Sequence, residues 1–175
     1  VTMLDSSFTD KFLALHRKFH FFESALHYLP TEVSNKLISA HCIQLLCSVS
    51  VASSFDDVAL ALSFAKTVLA GIKKKSITNP TSEQLVNCVF ANVLPAYRSC
   101  QQINTTLSDF CSEIDEKMIQ SKIESEIQND DISLSTLFLI SRYPTPETIP
   151  FLLSRAHVDQ RSHYILIFYF LSIIN

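Results

Sequence analysis

The chain contains a single glycine, Gly71, among 175 residues. At the usual frequency of about 7%, roughly a dozen would be present. Glycine supplies tight turns, strained active-site loops, phosphate cradles and close backbone approaches to ligands. A chain almost without it is confined to elements that need none of these. Long helices joined by short Pro, Ser, Thr and Asn punctuation satisfy that constraint. Hydrophobic residues make up 47% of the chain, enough for a core. Charged residues make up only 18%, against about 25% in ordinary domains. The surface is therefore covered by neutral polar groups, or part of it faces a partner.

Apolar periodicity agrees with the helical reading. Phe8, Phe12, Leu15, Phe19, Phe22, Leu26 and Leu29 recur at alternating steps of four and three, the signature of one buried helix face. Pro30 ends that helix. Thr31 and Glu32 open a second, carried by Val33, Leu37, Ile38, Cys42, Leu45, Leu46 and Val49 to about Ser53. A third starts at Ser54 as cap, with Asp56 and Asp57 in its first turn, and closes on Lys73, Lys74 and Lys75; both charge sets match the helix dipole. Its stripe is Phe55, Val58, Leu62, Ala65, Leu69 and Ile72.

Asn79-Pro80 reads as a cap followed by proline at the first position of a fourth helix, which Pro95 should kink or stop. From Tyr97 to about Gln128 the period resumes with a change of phase near Met118. A short helix follows Asn129-Asp130-Asp131. Tyr143-Pro144-Thr145-Pro146 breaks the chain, and two final helical pieces run to the end. The expectation is an all-α fold of about seven helices in a single domain over residues 1–175. Consecutive helices would pair as antiparallel hairpins, in a compact bundle or a short helical-repeat array. Because the chain begins at Val1 and ends in an apolar run, it is also read as a fragment of a longer protein.

The run from Ile149-Pro150-x-Leu152-Leu153 through Asp159 and Arg161 into the last apolar helix resembles a HEAT-type hairpin. No second copy of that pattern occurs, and a compact bundle accounts for the same spacing. The resemblance implies an alternative role, as a structural segment of a HEAT-like solenoid.

Charge narrows the partners. The net charge is −3 and the isoelectric point is near 6.1, without the clustered basic face of a nucleic-acid module. Residues 113–131 hold seven acids against Lys117 and Lys122, a local −5. The apolar run from Tyr164 to Ile174 spans eleven residues, short of the roughly 20 a membrane span needs. The five cysteines are odd in number and lack a Cys-x-x-Cys pair. They fit reduced thiols acting as small hydrophobes in an intracellular protein, cytoplasmic or nuclear, rather than a disulfide or zinc scaffold.

No phosphate loop, nucleophile elbow or cofactor motif is present, and no catalytic residues are assigned. His16, His20 and His27 share one face of the first helix with Glu23. Imidazole and carboxylate side chains four residues apart can bind zinc, so a metal-dependent helical enzyme is one alternative. That stripe borders the Phe/Leu seam, and four groups strung along one helix do not fully converge. The reading adopted is a non-catalytic adaptor or scaffold domain that docks a peptide or helix of another protein in an inter-helix groove. Self-association is a further possibility. The candidate contacts are His20 and His27 on the border, Phe21 off the main stripe, and Ile119, Ile123 and Ile127 in the acidic segment. The last three form a narrow stripe suited to a neighbouring chain, or to the edge of the domain's own core.

Overall fold

The structure, a computed structural model, describes residues 15–128 and 132–155. Eight α-helices are present among them and no strand. They are α1 (Leu15–Tyr28), α2 (Thr31–Cys47), α3 (Phe55–Lys73), α4 (Ser82–Cys88), α5 (Gln101–Cys111), α6 (Glu116–Ile127), α7 (Leu134–Arg142) and α8 (Thr148–Arg155). A π turn, Val89–Val93, and a 3-10 turn, Leu94–Ala96, continue α4. The expected start of the first helix and the final apolar run lie outside the described residues, as does most of the HEAT-like segment. Contacts cluster into two compact units, Val1–Glu113 and Ile114–Asn175.

In the first unit α3 is the central element. It packs against α1, α4 with its π turn, and α5. Eight of its residues are buried: Val58, Ala59, Ala61, Leu62, Phe64, Ala65, Val68 and Leu69. These occupy more than one helix face, as a helix enclosed by neighbours requires. Phe64 is fully buried, with its ring centroid 5.6 Å from Phe19 and 6.2 Å from Phe22 of α1. The expected seam of α1 is thus in place at Phe19 and Phe22, while Leu29 at its end is exposed.

The start of α3 is built as its sequence implies. Ser54 Oγ accepts from the Asp57 N–H at 3.1 Å, and Asp57 Oδ2 accepts from the Ser54 N–H at 3.2 Å, a reciprocal capping box. Elsewhere the boundaries differ from expectation. Thr31 does not cap α2 but is its first residue, after Pro30, and α2 stops at Cys47 rather than near Ser53. The fourth helix is capped not by Asn79 but by Thr81, whose side chain and that of Gln84 cap reciprocally; the Asn79-Pro80 bond is cis. Pro95 lacks a donor and its ring crowds the carbonyl one turn earlier. The helix widens into the π turn and tightens into the 3-10 turn before ending. The phase change near Met118 corresponds to a true break: α5 ends at Cys111, and Asp115 caps α6.

In the second unit α6 packs against α7 and α8. Tyr143 to Glu147 separates those two helices, as the proline pattern implied.

Two ion pairs tie α3 to the α5 segment, Lys66 Nζ to Asp109 Oδ2 at 3.1 Å and Lys73 Nζ to Glu113 Oε2 at 2.9 Å. The hydrogen bond and charge of Lys73 hold the Glu113 carboxyl below its ordinary range. A carboxyl lowered in the folded state adds stability above its unfolded pKa and loses it as pH falls through the folded value. Denaturant melts should therefore show Glu113→Gln slightly less stable than wild type at pH 7, with the difference vanishing well below about pH 4. Phe64→Ala should cost about 3–5 kcal/mol by removing a fully enclosed ring, measured by urea unfolding.

Candidate functional site

Helical spacing builds a groove in the first unit. His16 and His20 stand one turn apart on α1, and Gln102 and Thr106 one turn apart on α5. Asp56, Ala59, Leu60 and Ser63 follow the same rule on α3, whose cap residue Ser54 closes the set. Residues three or four apart share a helix face, so each helix presents one short wall. Together they enclose an open groove of about 580 Å³.

Its floor is apolar and its rim polar. Ala59 is buried and Leu60 half-buried, while His16, His20, Asp56 and Gln102 are exposed. One wall is braced by a polar chain from α3 to α1. Ser63 Oγ donates to Glu23 Oε1 at 3.2 Å, and Glu23 Oε2 lies 3.9 Å from His20 Nδ1. Thr106 Oγ1 donates to the Gln102 carbonyl at 2.8 Å, so that hydroxyl hydrogen is engaged within its own helix. The capping box engages Ser54. The groups left for a ligand are two imidazoles, the Asp56 carboxylate and the Gln102 amide, a set of hydrogen-bond donors and acceptors without a dominant charge.

The structure separates the three histidines of α1. His16 and His20 line this groove, whereas His27 lines a second cavity of about 270 Å³ with Asn35, Thr67, Gly71 and Lys74. Among the described residues no group of three or more His, Cys, Asp or Glu side chains is placed to hold a metal ion. Gly71 is a packing position: a Cβ there would come 2.5 Å from Ile77 Cδ1.

The acidic-segment stripe is placed differently from the docking surface anticipated for it. Ile119 and Ile123 are fully buried and Ile127 is half-buried. Their helix packs against α7 and α8, so two of the three side chains are enclosed rather than presented. Phe21 is half-buried, edge-on to Phe22 at 5.5 Å between centroids. Spacing on α1 marked His16 and His20. No periodic signal connects them to Ser63, Gln102 or Thr106, which only the tertiary packing brings alongside.

Compared with known protein families, curated proteins and solved structures, the chain matches none. The placements above have a direct check. Ile123→Asp should cost more than about 4 kcal/mol, because it buries an unpaired charge, and should abolish cooperative unfolding of the second unit. His20→Ala, on an exposed rim, should shift stability by no more than about 1 kcal/mol. Circular dichroism during urea titration distinguishes the two.

Proposed function

We propose that the chain is a non-catalytic interaction module that docks an extended peptide segment of a partner protein in the groove between α1, α3 and α5. The observation that carries this reading is the groove itself, about 580 Å³ and open to solvent. That volume lies within the range of about 300–1,000 Å³ typical of binding sites. Its rim offers both donors and acceptors, matching the alternating N–H and C=O groups of an extended backbone. Asp56 is the one carboxylate of the lining and gives a lysine or arginine of the peptide a partner. The floor at Ala59 and Leu60 takes a small apolar side chain.

The walls are suited to this because they do not have to be ordered on binding. They stand on helices already packed together, and the Ser63–Glu23 bond fixes the α1 wall. Pre-organisation reduces the entropy lost on association.

A displayed random-peptide library selected on the full chain tests the reading. Selected peptides should be enriched in basic residues, and Gln102→Trp, which fills the groove from an exposed position, should weaken them at least tenfold, about 1.4 kcal/mol. Tyr28→Ala, at the far end of α1, should leave affinity unchanged. Peptides that bind Gln102→Trp as well as wild type would place recognition elsewhere.

A further inference from the structure

Outside the groove, two cysteines from different helices meet. Cys47 is the last residue of α2 and is exposed; Cys88 is the last residue of α4 and is buried. Their Sγ atoms are 3.8 Å apart. The helices that carry them pack together, and α2 also contacts the π turn that begins directly after Cys88. A disulfide brings the sulfurs to about 2.0 Å with an ordinary Cβ separation near 3.8 Å. Closing the gap therefore needs a sulfur displacement of about 1.8 Å from the 3.8 Å observed. Asn92, in the π turn, points its amide at the pair: Nδ2 donates to the Cys88 carbonyl at 3.0 Å and lies 3.6 Å from Cys88 Sγ.

We propose that Cys47 and Cys88 form a redox pair, oxidised by a peroxide to a disulfide that clips α2 to α4. The exposed Cys47 reacts first. Its thiolate attacks one peroxide oxygen; an S–O bond forms, the O–O bond breaks, and the distal oxygen leaves as hydroxide. The product is a Cys47 sulfenic acid, already beside a second thiol. The Cys88 sulfur then attacks the Cys47 sulfur. An S–S bond forms, the S–O bond breaks, and the oxygen departs as water with the Cys88 proton. Two thiols and one hydrogen peroxide give one disulfide and two waters, the peroxide being reduced.

The surroundings assign these roles. Cys47 is exposed and Cys88 buried, so peroxide meets Cys47 first and Cys88, 3.8 Å away, is the resolving partner. Burial, and then the contact with Cys47, pushes the Cys88 thiol up to about 12, so it gives up its proton only as it attacks. Burial likewise pushes Cys42 and Cys111 up to about 12. Buried thiols do not compete with exposed Cys47 for the first reaction with peroxide; Cys88 enters at the second step because its sulfur lies 3.8 Å from that of Cys47. Asn92 is placed to stabilise negative charge as it develops on Cys88 sulfur.

The test is oxidation of the full chain with a small excess of hydrogen peroxide, followed by thiol titration, peptide mass spectrometry and thermal melting. Titratable thiols should fall from five to three and return with dithiothreitol. Cys47 should be found linked to Cys88, with fragmentation spectra separating it from Cys42 on the same tryptic peptide. Cross-linking positions 47 and 88 closes a long loop, so the melting temperature should rise on the order of 10 °C. Cys47→Ser, a surface change, should abolish both the link and the rise. The proposal is overturned if Cys47 ends as a sulfinic acid or links two chains while Cys88 stays reduced. A link without a rise, or a rise that persists in Cys47→Ser, overturns it equally.

Discussion

The first unit depends on α3 being enclosed. A helix covered on several sides cannot carry many charges, and α3 has only four: Asp56 and Asp57 in its first turn, Lys73 at its end, and the half-buried Lys66, which pairs with Asp109. Three buried alanines, Ala59, Ala61 and Ala65, let neighbouring backbones approach, while Leu62, Phe64 and Leu69 fill the space between them. Close packing around one central helix fixes where α1, α4 and α5 can lie. The groove is a consequence: it is the stretch of α3, from its cap to Ser63, left open between two helices that α3 itself holds.

Much of this was legible where one local rule decides the outcome. The four–three spacing of apolar residues located the α1 face, and Phe19 and Phe22 are buried as that spacing requires. Ser54 with Asp57 located the start of α3 because capping is a contact between near neighbours. Other features depended on a choice between neighbouring alternatives. Asn79-Pro80 and Thr81-x-x-Gln84 are both starting signals, and the reciprocal cap at Thr81 prevailed because it satisfies two backbone donors at once. The isoleucine stripe of α6 has the right width for a contact between chains, but α7 and α8 supply the cover from within the same unit.

The sites themselves were less legible, for a topological reason. Periodicity compares residues within one helix. It placed His16 and His20 together, with Glu23 beside them, but Ser63 reaches Glu23 from forty residues away. The cysteine pair is subject to the same limit. Cys47 and Cys88 each read as an ordinary apolar helix position, and only the packing of α2 against α4 sets one sulfur opposite the other, 41 positions apart.

Burial and hydrogen bonding divide the work of holding the groove. Apolar packing drives helices together but is non-directional, so it tolerates small slides along a helix axis that would misalign walls built from residues one turn apart. Polar contacts resist such slides. Glu23 to Ser63 ties α1 to α3, while Lys66 to Asp109 and Lys73 to Glu113 tie α3 to the α5 segment at two levels. Both lysine pairs are substantially exposed, and such pairs add little to stability. Their value lies in register rather than in stability. With α3 fixed against α1 on one side and α5 on the other, His20 and Gln102 keep their places across the groove, and the core is free to be merely well packed.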